Sequence, residues 1–452
     1  MIRLHPQPAV SHLCPHCRVA LVAKDWCIPG MRMLADLRCP SCARQFYGDL
    51  PAGHGLYYPM LLEAGTAEVH DTPGVPWFAE LLRDSFAQRI DRPVPFQEER
   101  LRPLRKPVLL NCLDQFYGHC LLKLLNAQYY LEHRSDTELV LLVPRFLRWL
   151  APEGAAAIWT VDLPLRQGKN WNDWLARRLH ELLDPLAEAW LSVAFSHPHP
   201  EDFAIERFTR VAPFELVSWS ELLRERPTVT FIWREDRLWE GPRSRVGAKL
   251  GRWRNKAGQT VLGAASVAAI EARAQERRVV QLALRLRQSF PRLDFALAGL
   301  GLPGRLPRWI NDLRQVQADE SVERAWCQRY ARSHLVVGVH GSNMLLPSAH
   351  AGAVIELLPP ERWGNLVQDI LPRTADPRDE LFRVRFLPLE SSPGAVAEAA
   401  ASLLRDVPIV GLNFNRAWCD HARVAGQPEL LAQRRRELSS LIGEPGSRRS
   451  SN

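Results

Sequence analysis

Short apolar runs that alternate with amphipathic segments dominate the sequence after Pro107. Val108–Asn111 and Leu139–Val143 flank a predicted helix from Phe116 to His133. A buried strand, a helix and a second buried strand form a β-α-β unit, which implies a parallel sheet covered by helices. The alternation continues less regularly through a strand at Ala156–Val161, a helix over 171–183 and a strand at Ser192–Phe195.

The same alternation restarts after a proline-rich segment. Ser196-His-Pro-His-Pro200 cannot continue a strand or a helix, because each proline lacks an N–H donor and restricts its predecessor. We therefore expect residues 196–227 to connect two α/β domains. The predicted strands of the second domain are Thr228–Trp233, Asp294–Ala298, Leu335–Val339 and Ala353–Leu358, with helices at about 276–289 and 319–332.

Two CxxC pairs lie upstream of both domains. Cys14-Pro-His-Cys17 and Cys39-Pro-Ser-Cys42 are separated by a segment long enough for one hairpin. Two such knuckles supply four thiolates to one tetrahedral zinc ion, so the spacing predicts a zinc ribbon. Because thiolates fill all four positions, this zinc is expected to be structural, although Cys27 and His16 are possible alternative ligands. Free cysteines in a small core are the other interpretation.

Composition and charge restrict the class of protein. With 452 residues, 46% hydrophobic and 24% charged, the chain has the composition of a soluble globular protein of about three folding units. No apolar run reaches the ~18–20 residues that span a bilayer, and the first residues lack the apolar core of a signal peptide. A cytoplasmic protein is expected. The net charge of +8 favours anionic partners, whether nucleotide, phosphate or nucleic acid.

The segment from Val336 to Glu356 is the most informative for function. A predicted strand ends in His340-Gly341-Ser342-Asn343 and opens a short helix, which places free backbone N–H groups at the C-terminal edge of the sheet. Open α/β sheets bind ligands at this edge. Gly341 allows a phosphate to approach, His340 can donate to it, and Glu356 can accept hydrogen bonds from ribose or sugar hydroxyls. The alternatives are a helix-capping histidine in the core and a Glu356–arginine pair.

These residues resemble a known family. Val337-Gly-Val-His340-Gly-Ser342 and Val354-Ile-Glu356-Leu-Leu-Pro359 are similar to the C-terminal signature of a glycosyltransferase family. That family includes plant xylan xylosyl- and arabinosyltransferases and the EGF-domain O-linked N-acetylglucosamine transferase. Asp114-Gln-Phe-Tyr117-Gly-His119 loosely resembles the family's aromatic N-domain motif. The resemblance covers roughly residues 105–410. It implies a GT-B fold, a nucleotide-sugar donor bound by the C-terminal domain, and inversion at the anomeric carbon.

Transfer from a nucleotide sugar leaves a diphosphate whose charge must be stabilised. The sequence contains no Asp-x-Asp motif, so no catalytic metal is expected and arginines are predicted to take that role. Arg234 follows the first strand of the second domain, and its planar guanidinium can bind two phosphate oxygens, unless Glu235 or Asp236 pairs with it. Residues 243–256 contain six basic residues and no acid, so they cover the phosphates, bind an anionic acceptor or form a solvated loop.

An inverting transfer also needs a base for the acceptor hydroxyl. Asn111, Asp114 and His119 are predicted to cluster where a strand ends and a helix begins. Asp114 and His119 are the candidate catalytic residues, although Asp114 can instead cap the helix. His197 and His199 are weaker alternatives.

The sequence thus predicts a zinc ribbon at 1–55, an acceptor domain with its bridge at 56–227, a nucleotide-sugar domain at 228–430 and a basic polar tail at 431–452. The predicted function is metal-independent glycosyl transfer to a carbohydrate, lipid or protein acceptor. Two alternatives remain at this stage. One is a nucleic-acid-binding protein that uses the ribbon and residues 243–256, and the other is a non-catalytic scaffold that binds sugar nucleotides.

Overall fold

The computed structural model describes residues 1–70, 76–215, 226–241, 264–373 and 377–414. The chain divides into two compact units, with unit 1 ending at Arg210 and unit 2 beginning at Val211. The predicted basic run at 243–256 and the tail at 431–452 lie outside the described residues. The domain boundaries predicted at residues 55 and 227 stay predictions, and the units are described separately below.

Unit 1 contains two sheets and several helices. Its strands are β1 (Ile2–His5), β2 (Val22–Cys27), β3 (Leu34–Arg38), β4 (Gln45–Asp49), β5 (Leu61–Glu63), β6 (Val69–His70), β7 (Phe96–Arg100), β8 (Pro107–Asn111), β9 (Glu138–Pro144), β10 (Ala157–Val161) and β11 (Ala189–Leu191). Its α-helices are α1 (Pro76–Ala87), α2 (Tyr117–Leu125), α3 (Ala127–His133), α4 (Asp173–Leu183) and α5 (Ile205–Thr209).

The central sheet of unit 1 has the strand order β1-β11-β8-β9-β10-β7. The four inner strands are parallel, and the two edge strands are antiparallel to their neighbours. Every residue of β8 and β10 is buried, which is why these strands are nearly continuous apolar runs in the sequence. Because the chain passes from β8 to β9 and β10 and then returns to the other side of β8, the strand order reverses between β8 and β11.

The predicted strand at Ser192–Phe195 is wrong, because β11 ends at Leu191, the residue before the predicted strand begins. Ser192 Oγ accepts a hydrogen bond from the Ala194 N–H at 3.1 Å, and Ala194 has a φ of 52°, in the left-handed region. A side-chain-stabilised turn of this kind competes with strand extension. The chain therefore leaves the sheet where the sequence pattern continues it.

The second sheet of unit 1 is an antiparallel meander in the order β2-β3-β4-β5-β6. Cys39 and Cys42 form the turn between β3 and β4, and Cys14 and Cys17 form the turn of a smaller hairpin closed by the Leu13–Ala20 bridge. The other cysteines in the described residues, Cys27, Cys112, Cys120 and Cys327, are free thiols. Cys419 lies outside the described residues.

Unit 2 contains β12 (Thr228–Trp233), β13 (Asp294–Leu300), β14 (Ile310–Gln315), β15 (Leu335–Val339), β16 (Ala353–Leu358) and β17 (Val384–Pro388). Its helices are α6 (Ala264–Ser289), α7 (Glu320–Ala331), α8 (Leu345–His350), α9 (Pro377–Arg383) and α10 (Pro393–Phe414).

All strands of this sheet are parallel, in the order β14-β13-β12-β15-β16-β17. Numbered by position within the sheet, this is the order 3-2-1-4-5-6 of the doubly wound dinucleotide-binding folds. The strand order reverses between β12 and β15, so their C-terminal ends form the switch point. The prediction of two α/β units with largely parallel sheets is confirmed.

The structure also shows why the sequence missed two strands of unit 2. β12, β15 and β16 are buried along their whole length. The edge strand β14 has two buried residues in six and carries Asn, Asp, Arg and Gln side chains, and the edge strand β17 has one buried residue in five. Edge strands bury only one face, so their apolar signal is weaker.

Within the described residues, no helix combines the length and the apolar composition needed to cross a lipid bilayer.

Candidate functional site

The four cysteines of the two knuckles converge on one point. Their Sγ atoms all lie within 4.8 Å of one another, with Cys14 and Cys42 at 3.7 Å and Cys17 and Cys39 at 3.2 Å. Four sulfurs at Zn–S distances of ~2.3 Å in a tetrahedron are about 3.8 Å apart. The cluster can therefore hold a metal ion with little rearrangement.

The two knuckles have the same backbone geometry. The N–H of the first cysteine in each knuckle donates to the carbonyl oxygen five residues later, Cys14 N to Val19 O at 2.8 Å and Cys39 N to Arg44 O at 2.9 Å. The residue after each second cysteine is left-handed, with φ of 60° at both Arg18 and Ala43. The Cys42 N–H points at Cys39 Sγ and lowers the pKa of that thiol to about 6, which favours the thiolate that binds metal.

Glu63 on β5 connects the two knuckles. Its buried carboxylate binds His16 Nε2 of the first knuckle at 2.9 Å and Arg44 Nη1 of the second at 2.5 Å. Burial alone would raise the pKa of Glu63, but these two partners outweigh it and lower the pKa below its usual range. His16 thus contacts Glu63, and the four thiols form a ligand set without it.

At the switch point of unit 2, Arg234 follows β12 and contacts the turn after β15. Arg234 Nη1 donates to the His340 carbonyl oxygen at 3.2 Å and to Asn343 Oδ1 at 2.7 Å. Its Nε and Nη2 bind the two oxygens of Asp236 at 2.8 and 2.6 Å. Both sequence interpretations of Arg234 are therefore present together, because it lies at the switch point and is also paired with Asp236. All three guanidinium nitrogens already donate hydrogen bonds.

Gly341 makes the approach of Arg234 possible. Its φ is +151°, and a Cβ at this position would lie 2.0 Å from Arg234 Nη1. Any side chain here would displace the guanidinium as well as strain the backbone. Gly341 therefore admits an arginine where the sequence predicted the close approach of a phosphate.

Ser342 and Asn343 form a 3₁₀ turn that precedes α8, a helix of only six residues. Asn343 Oδ1 accepts from Arg234, whereas Asn343 Nδ2 is buried and has no hydrogen-bond partner among the described residues. A buried amide donor without an acceptor is unfavourable by about 1–3 kcal/mol unless a ligand accepts its hydrogen bond. An anion at this turn would satisfy it.

Arg237 and Arg362 are the residues that sequence reasoning did not select. Arg237 Nη1 donates to the His340 carbonyl oxygen at 2.6 Å, and both arginines lie close enough to lower the pKa of His340. The signal was present in the sequence, because Arg237 lies four residues beyond β12 and Arg362 four residues beyond β16. Residues beyond the C-terminal ends of parallel strands meet at one edge of the sheet.

His340 is fully buried between two carboxyl groups. Its Nδ1 lies 2.5 Å from Glu356 Oε2, and its Nε2 lies 3.2 Å from Asp369 Oδ2. Burial and the charges of Arg237, Arg362 and Arg234 lower the pKa of His340 to about 4. Burial, reinforced by Asp369, raises the pKa of Glu356 well above its usual range. The lowered pKa of His340 favours the uncharged imidazole, and the raised pKa of Glu356 favours its protonated carboxyl group.

These positions correct the predicted roles of His340 and Glu356. Neither side chain has accessible surface, so neither contacts a phosphate or a ribose in this arrangement. Their hydrogen bond fixes the turn whose carbonyl oxygen receives Arg234 and Arg237. The two residues therefore position the arginines of this site.

The switch point of unit 1 lies beyond the ends of β8 and β11 and contains Asp114. Asp114 Oδ1 accepts the N–H groups of Gln115 and Phe116 at 2.8 and 3.2 Å and lies 3.2 Å from His119 Nδ1. Asp114 Oδ2 lies 2.9 Å from Lys123 Nζ and 3.6 Å from His54 Nε2. Asp114 thus fixes the two residues that precede α2 and contacts two histidines, but it does not cap the helix, whose N-cap is Phe116 without a side-chain cap.

Lys123 is fully buried and also donates to the Leu113 carbonyl oxygen at 3.0 Å. Burial alone would raise the pKa of Asp114, but Lys123, His119 and His54 outweigh it and hold the pKa well below its usual range. Asp114 is therefore a buried carboxylate with both oxygens occupied. His119, whose side chain is about one-quarter exposed, is the member of the pair that a substrate can reach.

Asn111, His197 and His199 are the other residues that the sequence suggested for the acceptor side. Asn111 is structural, because its amide donates to Gly30 O at 2.9 Å and accepts from Leu113 N. His199 accepts the Glu201 N–H at the start of a 3₁₀ turn. His197 lies close enough to His119 and His54 for their charges to lower its pKa, after burial as the larger cause. His54, which the sequence did not single out, replaces Asn111 as a neighbour of Asp114.

We expect Lys123→Met to lower the free energy of unfolding of unit 1 by about 3–5 kcal/mol, because it leaves the Asp114 carboxylate buried without its cation. Urea unfolding followed by circular dichroism measures this. Lys106→Met is the matched control: Lys106 pairs with the exposed Asp136, so the change should be below about 1 kcal/mol. Equal losses of unfolding free energy in the two variants would contradict the assignment of Lys123 and Asp114 as a buried ion pair.

The His340–Glu356 pair predicts an unusual pH dependence. The lowered pKa of His340 adds stability that is lost as pH falls below about 6.5, and the raised pKa of Glu356 adds stability that is lost as pH rises above about 4.3. Between these values the two effects cancel, because the unfolded chain carries on His340 the proton that the folded chain carries on Glu356. Above about pH 6.5 the stability of unit 2 should therefore decrease as pH rises.

Calorimetric Tm values from pH 4.5 to 9 test this in the wild type and in Glu356→Gln. The variant should lose less stability between pH 6.5 and 9 and more below pH 6.5, since only His340 then titrates. Glu320→Gln, at a surface position paired with Arg324, should reproduce the wild-type profile. Identical profiles for Glu356→Gln and the wild type would show that Glu356 is ionised in the folded protein.

No protein-family model matches this sequence. No curated protein matches it either. Among solved structures, ADP-heptose lps heptosyltransferase II of E. coli is similar over 67% of this chain and 99% of its own, with 12% identity and a TM-score of 0.34. A putative UDP-N-acetylglucosamine 2-epimerase from Listeria monocytogenes is similar over 69% of this chain and 90% of its own, with 8% identity and a TM-score of 0.33. TM-scores this low do not establish a shared fold.

Proposed function

We propose that this protein is a GT-B glycosyltransferase that moves a sugar from a nucleotide-sugar donor to an acceptor hydroxyl with inversion. The observation that carries the proposal is the switch point of the 3-2-1-4-5-6 sheet in unit 2. There, three arginines and an unpaired buried amide donor lie beyond the ends of β12, β15 and β16. This is the position where such sheets bind nucleotides, and its chemistry suits an anion.

The donor diphosphate is proposed to bind Arg237 and Arg362, with Asn343 Nδ2 as a further donor. Arg234 takes a supporting role, because its nitrogens are already committed to Asp236, Asn343 and the His340 carbonyl oxygen. As the bond to the sugar breaks, negative charge grows on the leaving diphosphate. Guanidinium groups fixed beside it stabilise that charge more strongly in the transition state than in the bound donor.

Unit 1 is proposed to supply the base. Asp114 holds His119 Nδ1 at 3.2 Å, which leaves Nε2 to accept the proton of the acceptor hydroxyl. The hydroxyl oxygen then attacks the anomeric carbon as the diphosphate leaves, and the configuration inverts. Asp114 itself stays ionised and orients the imidazole, as the carboxylate of a catalytic triad does.

The cysteine cluster is proposed to bind one structural zinc ion through Cys14, Cys17, Cys39 and Cys42. A set of four thiolates suits zinc and leaves no open position for a substrate. Its contribution is folding energy for the meander sheet.

Donor binding and transfer can be tested separately in the full chain. Titration calorimetry against a panel of UDP-, GDP- and ADP-sugars should find a binder, and Arg237→Ala should weaken it by about tenfold or more. His119→Ala should bind the same donor with unchanged affinity but lose nearly all transfer or donor hydrolysis.

Arg332→Ala, an exposed arginine of the same unit beyond α7, is the matched control and should bind as the wild type does. No binding to any nucleotide sugar would overturn the proposal. Binding without turnover in the wild type would favour a scaffold. Steeply salt-dependent binding to single-stranded nucleic acid, without binding to any nucleotide sugar, would favour the nucleic-acid alternative.

Metal analysis of the purified chain should find about one zinc ion per chain. Cys39→Ser should lose it and lower the Tm, because the two knuckles are then no longer joined. Cys27→Ser, which changes a thiol in the same sheet outside the cluster, should keep the full zinc content. Loss of zinc in both variants, or no zinc in the wild type, would contradict the assignment.

A further inference from the structure

The region around His54 and His119 is rich in exposed aromatic side chains. Large aromatic residues are mostly buried, and a contiguous exposed group of them indicates an interaction surface. In the described part of unit 1, five side chains that are 40–56% exposed belong to segments next to these two histidines: Tyr57, Tyr58, Trp77, Phe116 and Phe195. We refer to these five residues as the aromatic rim.

Ring contacts connect part of the rim to the histidines. Phe116 packs edge-on against His119 with ring centroids 5.3 Å apart. The Phe78 ring packs against His54 with centroids 5.0 Å apart and against Trp77 with centroids 5.4 Å apart. The His54 and His119 rings are themselves 5.0 Å apart. One continuous aromatic path therefore runs from Trp77 to Phe116 through both imidazoles.

Backbone hydrogen bonds hold the rest of the rim. The N–H groups of Tyr57 and Tyr58 both donate to the His54 carbonyl oxygen, at 3.2 and 2.9 Å. Phe195 follows the turn after β11, where Gly53 N donates to Val193 O at 2.6 Å and Asn126 donates to the Phe195 carbonyl oxygen at 2.8 Å. The rim is thus fixed to the elements that position His54 and Asp114.

The charged side chains next to the two histidines and Phe78 form two ion pairs. Lys123 is paired with Asp114, and Arg32, which lies over the Phe78 ring at 3.8 Å, is paired with Asp49 at 3.1 Å. All four of these charged side chains are buried. In the described residues around the histidines, the rim therefore offers flat apolar faces and two imidazoles, in contrast to the arginine cluster of unit 2.

We propose that the acceptor bound by unit 1 is a neutral carbohydrate whose sugar rings stack on the aromatic rim. The inference rests on the proposed function, since it supplies the hydroxyl that His119 deprotonates. The C–H face of a pyranose is apolar and matches an aromatic face, and its hydroxyls reach a small number of central polar groups. Within the described residues, the charged side chains next to the two histidines and Phe78 are paired with each other, which favours an uncharged acceptor over an anionic one.

The test uses the full chain without any nucleotide sugar. Titration calorimetry with cellohexaose, mannohexaose and chitohexaose should detect binding of at least one of these uncharged hexasaccharides. Trp77→Ala and Phe116→Ala should each weaken it by about tenfold, whereas Trp77→Tyr and Phe116→Tyr should retain most of the affinity. Tyr129→Ala is the matched control, because Tyr129 is an exposed aromatic residue of the same unit that packs on His133.

The outcomes separate this proposal from the proposed function. Binding of an oligogalacturonate hexamer, phosphatidylglycerol vesicles or a serine-rich peptide in place of the neutral sugars would overturn it. So would neutral-sugar binding that the alanine variants leave unchanged, or no binding of any hexasaccharide at millimolar concentration. Each of these results can occur while unit 2 still binds a nucleotide sugar through Arg237. Failure of the donor titration alone would leave sugar binding by the rim intact and would overturn glycosyl transfer.

Discussion

Reversal of the strand order in each central sheet is the constraint on which both candidate sites depend. Parallel strands require crossover connections, and where successive connections leave in opposite directions, two neighbouring strands end with no helix between them. In unit 1 this occurs between β8 and β11, and in unit 2 between β12 and β15. The polar residues that chemistry requires can be placed at these ends without interrupting the apolar strands that form the core.

The two switch points stabilise their buried polar groups in opposite ways. In unit 1, Asp114 keeps its charge, because Lys123 and two backbone N–H groups replace the lost hydration. In unit 2, burial favours the uncharged forms of His340 and Glu356, which share a short hydrogen bond. The first arrangement orients an accessible imidazole, and the second provides a neutral support beneath a cluster of arginines. Each is suited to the charge of the substrate proposed for it.

Sequence reasoning located both switch points but misassigned several roles. The runs at β12, β15 and β16 were predicted to the residue, because strands buried on both faces are uniformly apolar. The two knuckles were equally easy to identify, since the spacing of their cysteines alone defines them. The burial of the side chains that follow the strands could not be predicted, because nothing in the local sequence distinguishes a buried His340 from an accessible one. His54 and Arg362 were not predicted. Each interacts with a segment at least 22 residues away in sequence, and a local sequence pattern gives no information about such interactions.

The position of His54 suggests that a metal ion at the cysteine cluster would do more than stabilise the meander sheet. The second knuckle joins β3 to β4, and the turn that carries His54 begins four residues after β4 ends. Along this connection Leu50 N donates to Met33 O, and Arg32 pairs with Asp49 beneath Phe78, whose ring packs on His54. A metal ion bound by the four cysteines would fix the hairpin from one end, and Gly53 N binds Val193 O at the other. The turn that carries His54 would then be held from both sides, so metal binding at the knuckles would restrict the movement of a group that contacts Asp114.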